Sequence, residues 1–268
     1  MSEFRVEQQS TRRQGRAALI GKSRQVFLGA MLPILILALW QVLSSSGAFS
    51  VSQLPPPAEV VSGALGLIER GTLWGHIAIS LQRVFAGFAL GAALGIALGS
   101  AVGLSKFVSQ LLQPTIGALR AVPSLAWVPL LLIWMGIYEE PKITLIAIGA
   151  FFPVFTTVAS GLAAVDRNLI EVGRAYGLKS IKLVTRILLP ASSPIIFSGL
   201  RLGLAQAWLF LVAAELIASS KGLGFLLLDS QNTARTDVLF VAIILLALLG
   251  KLSDVVITQV EKRALRWI

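Results

Sequence analysis

The chain has no cysteine among its 268 residues, which excludes a disulfide frame, a thiolate metal site and a thiol nucleophile together. A single histidine, His76, is too few for a histidine metal cluster. Charge is scarce as well: 13% of residues are Asp, Glu, Lys or Arg, against about 25% in a soluble domain. There is no G-x-x-x-x-G-K-[ST] phosphate loop, no H-E-x-x-H, no G-x-S-x-G and no carboxylate pair spaced for one pocket. If the protein spends energy, something else binds the nucleotide.

What is present is apolar. Hydrophobic residues make up 56% of the chain and the mean hydropathy is +0.82, so the expected class is an all-α integral membrane protein. The net charge of +10 could suggest a nucleic-acid partner, but the basic residues fall beside apolar runs, the pattern of membrane orientation. Six spans are expected: Val26 to Leu43, Ile77 to Leu104, a third from Pro123 to Gly136, Ile143 to Ala164, a fifth capped by Ser193 and reaching Ala218, and Val238 to Val260. The first run is longer than the usual apolar region of a signal peptide, and no small-residue cleavage site is followed by a soluble domain, so it reads as a retained span. A tail over 1–25 and a transmembrane domain over 26–268 follow from this division.

Orientation comes from counting. With the N-terminus inside, the cytoplasmic segments hold sixteen Lys and Arg and the external loops four, at Arg70, Lys142, Lys221 and Arg235. Both termini are therefore expected in the cytoplasm.

Individual spans carry marks. Gly87, Gly91, Gly95, Gly99 and Gly103 recur every four residues in the second span, a stripe that lets another helix backbone come close, either within the chain or across a dimer seam. Pro123 and Pro129 predict an irregular start to the third span, which fits a pathway wall or a packing kink. Arg83 and Arg201 lie near span ends and can snorkel, whereas Lys251 and Asp254 are spaced to neutralise each other. Glu215 fits either pathway lining or a structural hydrogen bond. Ser219 to Asp237 reads as a polar loop.

The longest polar interruption runs from Asp166 to Pro190. Two short helices fit it: one capped by Asn168 with Glu171 as capping-box partner and ended by Gly177, the other capped by Ser180 and stopped by Pro190. Leu169, Val172 and Tyr176 share an apolar face, and Lys179, Lys182 and Arg186 a basic one. On physics alone such a hairpin is an interfacial anchor.

The same stretch also carries a resemblance. Glu171, Gly177, Ile187, Leu189 and Pro190 stand at the spacing of the E-A-A-x3-G-x9-I-x-L-P loop that marks membrane subunits of binding-protein-dependent ABC importers, with Val172 and Gly173 at the two alanine positions. RAVPSLAWVPLLLIWMGI, ILLPASSPIIFSGLRLGLAQAW, VAAELIASSKGLGF and TDVLFVAIILLALLGKLSDV are similar to permeases for aliphatic sulfonates, taurine and nitrate, and the last segment most resembles the aliphatic sulfonate members. The resemblance implies a non-catalytic inner-membrane subunit. It also implies a homodimer forming the path, two ATP-binding subunits that hold ATP and Mg, an external solute-binding protein and no cofactor or metal on this chain. Glu171, Val172, Gly173, Arg174, Tyr176, Gly177 and Lys179 would then form the coupling loop. For a small permanent anion, a path needs donors and dipoles, and Ser124, Trp127, Arg201, Gln206 and Glu215 are the candidates. A self-contained channel or ion-coupled carrier is the competing class, disfavoured by sparse membrane acids and the lack of an evident inverted repeat. An intramembrane enzyme lacks a catalytic constellation, and a lipid-organising scaffold does not explain the loop.

Overall fold

A computed structural model describes residues 29–266, and every described element is helical or a turn. The tail over 1–25 and the first residues of the first expected span lie outside that range. The chain divides after Ser62 into two compact units. In the first, α1 (Gly29–Ser45) is a short apolar helix, and the indole Nε1 of Trp40 donates to the Pro55 carbonyl at 3.0 Å. Helix α2 (Pro57–Glu69) begins at the end of the triple-proline turn, where a missing N–H costs the helix nothing.

The second unit contains the long helices α3 (Thr72–Leu104), α6 (Glu140–Ala163), α9 (Leu189–Ala218) and α11 (Thr236–Ala264), which are long and apolar enough to cross a bilayer. At about 1.5 Å per residue the 33 residues of α3 run well past the hydrocarbon core. Helix α6 lies at the centre, with α3 and α9 packed on it. The five glycines of the α3 stripe form the first contact: a Cβ at Gly95 would come within 2.9 Å of Val154 Cβ, one at Gly103 within 2.8 Å of Leu162 Cβ, and one at Gly91 would collide with the Ala147 carbonyl. The stripe is thus a seam inside one chain. On the other side Gly199 and Gly203 of α9 sit against Thr157 and Val154 of α6. Small residues let these backbones approach where lipid offers no hydrophobic drive.

The third expected span is corrected. Its apolar stretch forms a 3-10 turn over Ser124–Trp127 and then only eight helical residues, α5 (Val128–Met135), about 12 Å long and too short to cross. Only jointly with α4 (Lys106–Ala121) does it reach span length, and the two are bent by 87° at the Val122–Pro123 break. Two prolines in one short segment produce the irregular backbone the sequence predicted there. The fourth and sixth expected spans appear close to their predicted bounds. The 219–237 loop is also corrected, because Leu223–Asn232 within it forms helix α10, with Leu223, Gly224, Leu226 and Ser230 buried.

Candidate functional site

The segment after α6 forms a short helix, α7 (Arg167–Ala175), a glycine turn, and a second arm that continues into α9. Asp166, not Asn168, caps α7: its Oδ1 accepts the Asn168 N–H at 2.9 Å. Asp166 has the extended backbone a cap requires, while Asn168 is already helical. Glu171 therefore makes no capping box and takes the Arg167 guanidinium at 3.0 Å, an i,i+4 pair.

Gly177 ends the arm with φ +75°, and the Leu178 N–H reaches back to the Gly173 carbonyl at 3.0 Å. That left-handed turn is what the sequence predicted, and it requires glycine. Gly173 is buried, and a Cβ there would lie 2.8 Å from Leu183 and 3.2 Å from Ile187. The second alanine position is thus where the two arms touch, and glycine lets them close.

The second arm departs from expectation. Helix α8 (Ser180–Leu183) starts at Ser180, so Ser180 is its first residue rather than its cap. The chain does not stop at Pro190. Val184–Leu188 widen into a π turn, in which the Leu189 N–H bonds the Val184 carbonyl, and Pro190 falls into the first turn of α9. The wide turn accommodates the proline's missing N–H, so one helix runs Ile181–Ile217. Ser193 is inside that helix, its Oγ donating to the Pro190 carbonyl at 2.6 Å, and Pro194 is internal too. The hairpin is therefore one free arm and the foot of a span. Leu169, Val172 and Tyr176 are exposed, Tyr176 at 83%. Arg174, Lys179, Lys182 and Arg186 are also exposed and have no acidic partner among the described residues.

A second cluster sits at the other end of the same helices, one that sequence reasoning missed. Arg83 in α3 is 3% exposed and does not snorkel. Its Nε and Nη2 bind Glu139 at 2.6 and 2.7 Å, and its Nη1 binds Glu215 at 2.8 Å, Ser219 Oγ at 2.9 Å and the Lys221 carbonyl at 2.7 Å. Glu215 has no solvent exposure and also accepts from Ser80 Oγ and, at 2.7 Å, the Gly224 N–H. The Leu223 N–H donates to Ser80 at 2.8 Å, and buried Lys142 reaches Glu139 at 3.1 Å. Gly222, φ +119°, leaves room for the carboxylate, which a Cβ would strike. The buried Arg83–Glu215 pair at the heart of this cluster is thus hydrogen-bonded on both sides, the condition under which buried charge is tolerated. Arg83 beside it pulls the Glu139 carboxyl down to about 2.

The five path candidates do not converge. Glu215 is enclosed in that cluster, fully buried and hydrogen-bonded to Ser80. Arg201 pairs with Asp254 at 2.9 Å and Glu261 at 3.8 Å instead of snorkelling alone, and Lys251 reaches the same Asp254 at 3.2 Å. Gln206 is exposed, while Ser124 and Trp127 are half-buried in the 3-10 turn. The Trp127 Nε1 is buried without a partner among the described residues. No group of three or more metal-ligating side chains occurs among the described residues.

Comparison with known proteins agrees with this architecture. Residues 91–266 match the model of the family described as binding-protein-dependent transport system inner membrane component. A protein of Escherichia coli (strain K12) named as the aliphatic sulfonates transport permease SsuC is 46% identical over 236 residues, 88% of this chain and 90% of that one. Its namesake in Bacillus subtilis (strain 168) is 42% identical over 239 residues, 89% of this chain and 87% of that one. Among solved structures, an inward-facing form of the MetNI methionine ABC transporter superposes with a TM-score of 0.56 at 21% identity, over 76% of this chain and 96% of that chain, a likeness of fold. The chain belongs to the inner-membrane permease components of binding-protein-dependent ABC importers, a non-catalytic membrane family.

Proposed function

We propose that this permease carries small organic sulfonates inward across the cytoplasmic membrane. The observation that carries the reading is the 46% identity to SsuC along 88% of the chain, far more than fold alone requires. Two copies of the chain enclose the path, six spans each with the bent α4–α5 pair as the third, and both termini lie in the cytoplasm. An external binding protein delivers the anion, and ATP with Mg stays on two partner subunits.

The arm over 167–177 is the coupling element. Support comes from its geometry: an apolar face of Leu169, Val172 and Tyr176 is exposed on a short, capped helix, tied at Gly173 to the foot of α9. A push on α7 reaches α9 through that contact and the π turn. The buried Arg83–Glu215 cluster ties α3, α9 and the 219–224 segment together at the far end, so the helices can tilt as a body. Arg201, Gln206, Ser124 and Trp127 remain the proposed path groups, with Gln206 the exposed donor on α9.

The test is uptake by vesicles holding the full importer. ATP-dependent accumulation of labelled ethanesulfonate, outcompeting taurine and nitrate, is expected. Preferred uptake of nitrate or taurine would reassign the cargo, and uptake without ATP-binding subunits would replace the mechanism with a self-contained carrier.

A further inference from the structure

Where α3 and α6 end, the chain leaves an open groove of about 740 Å³ between those two helix ends and the hairpin. Ten of its twelve lining residues are apolar or glycine, Leu104, Ala163, Ile170 and Leu183 among them, and its two polar side chains are cations, Arg174 and Lys179. Neither cation has an acidic partner among the described residues. Behind the groove lies the buried cluster of Val154, Val158, Leu162 and Leu188, so the floor is rigid packing.

We propose that this groove binds one anionic phospholipid, its phosphate on Arg174 and Lys179 and the start of an acyl chain along the apolar walls. The position favours lipid over a soluble anion. The groove opens at the ends of two membrane-spanning helices, Leu104 and Ala163 are exposed at its edge, and apolar walls beside unpaired cations match an amphiphile whose acyl chain starts next to its anionic headgroup. Basic pockets between span ends are where anionic headgroups are held. Two helix C-termini also face this region, each with roughly half a negative charge. They offset about one of the two cationic charges and leave a net attraction suited to a monoanionic phosphodiester rather than a multiply charged phosphate. The groove shares Arg174 and Lys179 with the expected coupling loop, while the exposed face of α7 formed by Leu169, Val172 and Tyr176 lies outside it.

The experiment uses the full-length permease, with and without its ATP-binding subunits, delipidated and titrated with dioleoylphosphatidylglycerol while bound lipid is counted by native mass spectrometry. One lipid per permease chain is expected, bound in preference to dioleoylphosphatidylcholine and not displaced by millimolar inorganic phosphate. Each basic residue contributes about 1 kcal/mol toward an anionic headgroup, so Arg174→Gln with Lys179→Gln should weaken binding about thirtyfold. Lys182→Gln with Arg186→Gln, outside the groove, should leave it within about twofold. Equal affinity for the zwitterionic lipid, displacement by phosphate, or the same loss in both double variants overturns the proposal. Co-purification of the ATP-binding subunits with the unmodified chain, read in the same samples, reports separately on coupling: its failure with lipid binding intact counts against the docking role of α7 and not against the lipid site.

Discussion

Arg83 and Glu215, 132 residues apart in sequence, meet at 2.8 Å where neither side chain is more than 3% exposed. The pair joins α3 to α9 and, through the Lys221 carbonyl and the Gly224 N–H, fixes the turn that leads into α10.

Removing Arg83 leaves Glu215 buried without a cation, and removing Glu215 leaves Arg83 only Glu139 of its two carboxylate partners; breaking a buried pair costs about 3–5 kcal/mol. Arg83→Met and Glu215→Met should each lower the thermal midpoint of the solubilised protein severely. The double variant should recover part of the loss, giving a coupling of at least about 1 kcal/mol in a double-mutant cycle. Gly222→Ala should resemble the Glu215 variant, since its Cβ would strike the carboxylate at φ +119°.

Glu139 supplies the pH dependence. Its carboxyl is 49% exposed, yet Arg83 holds it at about 2 instead of 4.5. A carboxyl whose pKa is lowered on folding stabilises fully above 4.5 and loses that contribution as pH falls toward 2. Thermal midpoints of wild type and Glu139→Gln should therefore differ by a constant amount between about pH 5 and 8 and converge below pH 4. Convergence near neutral pH would assign the interaction to another group.

The glycine seam sets a third expectation. At Gly91 an added side chain collides with the Ala147 backbone, whereas Gly117 on α4 has nothing within 4 Å. Gly91→Leu should cost about 3 kcal/mol or abolish stable expression, and Gly117→Leu should be within about 0.5 kcal/mol of wild type. Detergent-solubilised yield and thermal midpoint read both.

Much of this was visible in the chain. The spacing of the five glycines predicted a close helix contact, and Gly177 announced its own turn, because each of these signals is local and has few physical alternatives. The buried cluster was not read, although Arg83 near the start of one span and Glu215 near the end of another lie at equal depth with opposite charge. Pairing across 132 residues needs the helix order, and snorkelling offered Arg83 a local answer. Pro190 misled for the opposite reason: a proline normally stops a helix, and only the π turn before it lets α9 run on. The short α5 likewise looked like a span by composition, while its bend with α4 belongs to the backbone at Pro123.

Gly177→Val would place a β-branched residue at φ +75°, costing about 1–2 kcal/mol locally. The variant should insert and bind its ATP-binding subunits, hydrolyse ATP, and fail to raise uptake in proportion. The ratio of sulfonate transported to ATP hydrolysed is the quantity to measure. An unchanged ratio would remove the turn from the coupling path.

The role of α7 can be reached most directly through the absence of native cysteine. Val172→Cys introduces a unique thiol on the exposed face of α7, and Trp74→Cys does so at the opposite end of the bundle, where Trp74 is 63% exposed. With a short bifunctional reagent on the assembled importer, position 172 should cross-link to the ATP-binding subunit and position 74 should not. A cross-link from position 74, or none from position 172 in a transport-competent complex, would contradict the assignment of α7 as the coupling helix.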